Sequence, residues 1–316
     1  MKRLLLLVFV LLLSGAVYYY LLDGSLPDES NYTLDMDEIR ALAEAPEDKL
    51  PVEIRTEILA KTPVPVFAVR AGAGFGEALM NRNIFQIVMP DGHYALEAGM
   101  DERLAIYYDQ SEGFDGQVWT RIQDVMSSAV GIIVTHEHPD HVGGIVRHRN
   151  PSELADKLML TSEQFEGMRR FTRTGQLPPE FDRVEPVALE RMTRVAPGIV
   201  MIRAAGHTPG SVIFFVRLSG GMEYLFIGDI AYTERNVTEG VDRTRLVRML
   251  MVDPEDRGAV VNQLKAIHEL SKTEKDLHIV PAHADGVINR MIDDGDIRLG
   301  FSLMQPIVPE ENTGAN

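Results

Sequence analysis

The six residues His136-Glu137-His138-Pro139-Asp140-His141 constrain this chain more than any other segment. They follow the apolar run Val130-Gly131-Ile132-Ile133-Val134, which reads as a short buried strand. A strand ending in such a cluster carries three imidazoles and a carboxylate on a short, stiff turn. Neutral imidazole nitrogen and carboxylate oxygen are donors that zinc and similar ions take. A solvated His-rich loop is the plain alternative, and the rest of the chain argues against it. His207 lies in Gly206-His207-Thr208-Pro209-Gly210-Ser211, between the apolar runs 199–202 and 212–216. Asp229 ends Tyr224-Leu225-Phe226-Ile227-Gly228-Asp229, and His283 ends His278-Ile279-Val280-Pro281-Ala282-His283. Each polar residue stands just past a strand-like run, where α/β folds place their chemistry.

The set HxHxDH, GHTPGS, GD and PAH, in this order, resembles the metallo-β-lactamase superfamily of metal-dependent hydrolases. The resemblance runs from about Val64 to about Val308. It implies an α/β fold, a four-layer αββα sandwich with the metals at one sheet edge. It also implies that His136, His138 and His207 hold one metal, that Asp140, His141 and His283 hold a second, and that Asp229 bridges the two. Five imidazoles and two carboxylates suffice for two ions with open positions. Two such ions sharing a water lower its pKa toward 7 and yield a bridging hydroxide able to attack a carbonyl. Asp140 would also orient that nucleophile. Zinc fits these ligands, as do iron and manganese. Glu137 alternates away from the ligands and reads as a supporting or surface residue.

The chain has no cysteine, whereas many true β-lactamases of the superfamily have a Cys ligand where Asp229 stands. Asp229 is instead similar to the bridging carboxylate of lactonases and glyoxalase II enzymes. Asp285–Asn316 is too short for the glutathione-binding region expected of the latter. Tyr232 follows Asp229 by three residues, a spacing that resembles N-acyl-homoserine lactonases. A phenol there could stabilise a developing oxyanion, or simply pack at the sheet edge. The catalytic expectation is therefore Asp140, Asp229 and Tyr232, acting on a small-molecule carbonyl ester, first of all a lactone. A thioester or other carboxylic ester follows, then a phosphodiester. Outside the enzymes, a metal-loaded, membrane-anchored binding protein remains.

At the other end of the chain, Lys2-Arg3 precedes 19 residues without a charge, Leu4 to Leu22, nine of them Leu. As a helix this spans about 28 Å, close to the hydrocarbon thickness of a bilayer. The charges flanking it place the N-terminus in the cytoplasm and the body outside, at a bacterial-type inner membrane. A cleaved signal peptide competes, with Ser14-Gly15-Ala16 as the cleavage site, and would make the protein periplasmic or secreted.

Residues 1–22 thus read as an anchor, 23–61 as a tether with a helical extension, and 62–316 as the catalytic domain. Within the extension, Met36–Ala45 and Val52–Lys61 read as helices. Further on, Asp115–Ala129 reads as a helix capped by Asp115. Another runs from Asp253-Pro254 to about Leu270, with Val260, Leu264 and Ile267 on its buried side. His93 reads as a turn residue, and His148, His268 and His278 lack partners at ligand spacing. The net charge of −16 argues against nucleic acid as a partner. Leu246, Leu250 and Met251 could line an acyl-chain site or pack into the core.

Overall fold

The computed structural model describes residues 1–250 and 254–303. The first half holds α1 (Lys2–Val17), α2 (Met36–Ala43), β1 (Glu53–Pro65), α3 (Val66–Val69), β2 (Glu77–Met89), β3 (Gly92–Leu96), α4 (Glu102–Tyr107), α5 (Gly116–Ser128), β4 (Gly131–Ile133), α6 (Pro139–Arg147) and α7 (Ser162–Met168). The second holds β5 (Met192–Ala196), β6 (Ile199–Arg203), β7 (Val212–Arg217), β8 (Glu223–Gly228), α8 (Glu234–Glu239), α9 (Arg245–Leu250), α10 (Arg257–Thr273), β9 (Leu277–Pro281), α11 (Asp285–Asp294) and β10 (Arg298–Leu299). The strands form two sheets, ordered β10-β1-β2-β3-β4 and β5-β6-β7-β8-β9.

Alternation along the strands builds four layers. In β7, Val212, Phe214 and Val216 face the other sheet, while Ile213 and Phe215 face helices on the outside. β6 splits the same way, with Ile199 and Met201 inward and Val200 and Ile202 outward. The inter-sheet core joins these side chains to Ile54, Phe85, Ile87, Leu96 and Ile133 of the first sheet. The outer face of that sheet is covered by α4, α5, α6 and α7 through Leu104, Ile122, Ile145 and Phe165. α2 and α10 cover the second sheet through Ile39, Val260, Leu264 and Ile267. The result is the αββα sandwich expected from the sequence.

Several local expectations need correction. Residues 53–61 belong to β1, not to a helix; Ile54 and Leu59 face opposite sides of the sheet. Residues 23–35 are no loose tether. Tyr32 donates its hydroxyl to the Arg203 carbonyl at 2.7 Å, Ser25 bridges Val241, and Leu26 and Leu34 pack on the core under α10. Asp115 caps α5 as expected, its carboxylate accepting from Gln117 and Val118. α10 starts later than expected, capped by Asp256; Asp253 lies outside the described residues. Glu255 is drawn into the interior by Arg243 and Arg248, so the helix cannot begin before it. His93 is a buried strand residue whose ring bonds the Val125 carbonyl at 3.0 Å.

Candidate metal centre

One edge of the sandwich gathers every residue singled out for the site. Just past β4, Val134 and Thr135 lead into His136 and His138, and Pro139 opens α6 at a first helical position, where its missing N–H costs nothing. Asp140 and His141 therefore sit in the first turn of α6. His207 comes from the loop between β6 and β7, Asp229 from the end of β8, and His283 from just past β9. Gly228, before Asp229, has φ +54, and a Cβ there would lie 3.0 Å from the Thr135 side chain. Only glycine permits this turn and this approach of two strand ends.

The seven side chains form two groups sharing one carboxylate. His138 Nδ1 lies 3.1 Å from His136 Nε2 and 3.0 Å from His207 Nε2. Asp229 Oδ2 lies 3.8 Å from His136 Nε2 and 3.5 Å from His207 Nε2. On the other side, His141 Nε2 and His283 Nε2 are 3.3 Å apart, and Asp140 Oδ2 is 3.8 and 3.5 Å from them. Asp229 Oδ1 faces this second group, 3.0 Å from His283 Nε2 and 3.7 Å from His141 Nε2. The two oxygens of Asp229 thus point to different groups.

Outer partners fix which nitrogen of each ring faces inward. His283 Nδ1 meets the Asn81 carbonyl at 2.6 Å, His207 Nδ1 meets Glu255 Oε2 at 2.8 Å, and His141 Nδ1 meets Glu97 Oε2 at 3.1 Å. A carbonyl or carboxylate only accepts, so each of these Nδ1 atoms carries the proton. Thr135 gives its hydroxyl proton to Glu97 at 2.5 Å, so it accepts from His136 Nδ1 at 3.1 Å. Four Nε2 atoms therefore face inward, onto one another and onto carboxylate oxygens. Asp229 Oδ1 is buried without a hydrogen-bond partner. Acceptors packed against acceptors need cations between them, and this donor set fits divalent metal ions.

The electrostatics agree. Burial disfavours a charged His141, but Glu97, Asp140 and Asp229 outweigh it and raise its pKa to about 9, so near neutral pH its Nε2 holds a proton that a bound cation would displace. The same carboxylates would attract a metal cation. His207, buried and close to His138, is lowered to about 3, which keeps it neutral as a ligand must be. Burial would raise Asp229, yet the imidazoles around it hold its carboxyl well below the usual range.

Tyr232 joins the site. Its ring stacks on His283, with centroids 6.0 Å apart, and its hydroxyl accepts from Arg243 at 2.6 Å. Burial raises the pKa of that hydroxyl, so it stays protonated. Glu137 is buried and accepts from Thr208 Oγ1 at 2.7 Å and from the Gly210 N–H at 2.9 Å. It ties the first motif to the GHTPGS turn.

Sequence reasoning missed the outer partners. Glu97, buried with φ +71, carried a signal: Glu97-Ala98-Gly99 is another polar residue just past a strand. Arg82, paired to Asp140 at 2.9 Å with both side chains buried, Arg243 and Glu255 carried none. A cavity of about 760 Å³ opens beside His207, lined also by Glu163, Gly167, Thr208, Pro209 and Pro254.

This architecture and this edge of imidazoles and carboxylates define the class. The chain belongs to the metallo-β-lactamase superfamily: the family described as "Beta-lactamase superfamily domain" matches residues 106–284. Its fold is shared by a quorum-quenching N-acyl homoserine lactone lactonase, at 17% identity and TM-score 0.56, over 75% of this chain and 94% of that one. A B. thuringiensis AiiA mutant with N-decanoyl-L-homoserine bound at the active site matches at 16% identity and TM-score 0.55, over 76% and 96%. A probable metal-dependent hydrolase from Staphylococcus aureus matches at 12% and 0.55, over 75% and 91%. No curated protein sequence matches the chain.

Proposed function

We propose that the protein is a dinuclear metallo-hydrolase of carbonyl esters, with lactones as its first substrates. The observation that carries this is the set of inward ring nitrogens, with the two oxygens of Asp229 shared between two groups. His136, His138, His207 and Asp229 would hold one ion. Asp140, His141, His283 and Asp229 would hold the other, with zinc the best fit to nitrogen and oxygen donors. When bound, two such ions supply Lewis acidity and a water acidified toward neutral pH.

The chain's own contribution is placement and charge. Asp140, fixed by Arg82 at 2.9 Å, orients an attacking water by accepting its hydrogen. Tyr232, protonated and held by Arg243, donates to the ester oxygen as negative charge develops there. Burial of these groups keeps competing bulk water away. The lactone preference draws support from Tyr232 and from neighbours of this fold that are described as N-acyl homoserine lactone lactonases.

We also propose that Lys2–Leu22, whose most apolar 18-residue stretch has a mean hydropathy of 2.4, is retained as a membrane anchor. The body would then lie on the outer side, since Lys2 and Arg3 precede the helix.

The test of function is proton release from acyl-homoserine lactones by the zinc- or manganese-loaded protein, beside Asp229→Ala. Asp229-dependent turnover is the expected result. No turnover by a protein carrying two metals would reject lactones and bring thioesters and phosphodiesters forward.

A further inference from the structure

We infer that the face from which the N-terminal helix leaves the body rests on the bilayer surface, and that the site draws its substrate from there. The substrate class is an ester or lactone whose acyl chain partitions into lipid. This rests on the metallo-hydrolase reading above and on retention of the anchor.

The anchor is docked rather than tethered. Its last turn, Tyr18–Leu22, meets α9 and the loop after α3. The Arg245 guanidinium stacks on the Tyr19 ring at 4.4 Å and pairs with Asp23 at 2.6 Å. The Gly72 N–H donates to the Leu21 carbonyl at 3.1 Å, and the Asp242 N–H to the Gly24 carbonyl at 2.8 Å. A Cβ on Gly24 would overlap the Ala71 side chain, at 2.6 Å. A helix end held on two sides gives the body one orientation relative to the membrane. Tyrosines at the end of a span sit at headgroup level, so α9 and the α3 loop lie there too.

These two segments carry exposed apolar side chains. Phe75, in the loop joining α3 to β2, is 98% exposed, and Leu79 is 49% exposed. On α9, Met249 and Leu250 are 66% and 74% exposed. Four large apolar groups beside one membrane exit, on two separate segments, match an apolar contact with lipid. With a net charge of −16, the protein gains no general attraction to anionic headgroups, so such contact must come from apolar groups.

The same two segments lie close along the chain to groups of the site. Consecutive Cα atoms are about 3.8 Å apart, so Arg245 lies within about 8 Å of Arg243 along the chain, and Arg243 holds Tyr232. Leu79 is three residues from Arg82, which pairs with Asp140. Met80 bridges Ala284, next to His283. Pro254, four residues after Leu250, lines the cavity beside His207. An acyl chain lying among Phe75, Leu79, Met249 and Leu250 could therefore present its ester to the metal centre without leaving the interface.

The test uses the full chain in phosphatidylcholine nanodiscs. A Phe75→Trp variant reports contact by fluorescence, against the wild-type background of Trp119, which packs on the core. The inference expects a blue-shifted added emission that is quenched by lipids brominated on the acyl chain. An added emission that stays water-like and unquenched would overturn the bilayer contact. In parallel, Phe75→Asp/Leu250→Asp should lower kcat/KM for dodecanoyl-homoserine lactone about tenfold. For the butanoyl compound, which stays in water, the loss should be several-fold smaller. Equal effects on both compounds would overturn lipid-side entry. If wild type turns over neither lactone, the lactonase reading fails, and the quenching result alone decides the membrane face.

Discussion

Glu97→Gln probes the layer behind the ligands, and its effect can be worked from the structure. Glu97 accepts from His141 Nδ1 at 3.1 Å and from the Thr135 hydroxyl at 2.5 Å. Through Thr135 it also sets the tautomer of His136. A glutamine has the same shape but one acceptor oxygen and one NH2. If the NH2 faces His141, that ring must move its proton to Nε2, the atom that faces the metal. If it faces Thr135, the hydroxyl loses its acceptor and the His136 bond weakens. Either choice removes a charge-assisted hydrogen bond, a loss of about 1.5–3 kcal/mol. A change of 1.4 kcal/mol is tenfold, so metal affinity should fall about 10- to 100-fold. Competition with a chromophoric chelator measures this, and circular dichroism should show an unchanged fold. A Glu97→Gln protein that binds two metals as tightly as wild type would refute the tautomer argument.

Other substitutions separate the remaining parts of the account. Arg82→Met strands the buried Asp140 carboxylate and should cost about 3–5 kcal/mol in chemical denaturation of the metal-free protein. Bound metal should restore part of that loss. Tyr232→Phe keeps the stacking on His283 and removes the hydroxyl; kcat for a lactone should fall about 100-fold, with metal content unchanged. Unchanged turnover would remove Tyr232 from the mechanism. Phe215→Ala, in the fully buried layer between the second sheet and α10, should cost about 3–5 kcal/mol without altering the metal centre once folded.

What the sequence disclosed, and what it withheld, follows from physical range. The ligands were legible because His136, His138, Asp140 and His141 are neighbours, and because His207, Asp229 and His283 each end an apolar run. The layered fold came with the family resemblance that the motifs carry; β6 and β7 are apolar on both faces because one face meets the other sheet and one meets helices. β1 was misread because a bulge breaks its alternation: Leu59 and Ala60 together oppose Arg82. The break places Ile54, Ile58 and Leu59 at intervals that imitate a helical stripe. The helix signal at Asp253-Pro254 lost to Asp256 because Glu255 is needed in the interior by two arginines and His207. Leu250 was weighed as a core residue and is exposed; Met251 lies outside the described residues. Arg82, Arg243 and Glu255 act across long stretches of chain, and no local pattern marks such partners.

The central claim is that Asp229 joins two metal sites. Its most direct test is the metal content of the purified, zinc-exchanged chain, by elemental analysis against protein concentration, for wild type and Asp229→Ala. The account predicts two ions per wild-type chain and at most one per variant chain, with the fold retained in both. One ion in the wild type, or two in the variant, would contradict it.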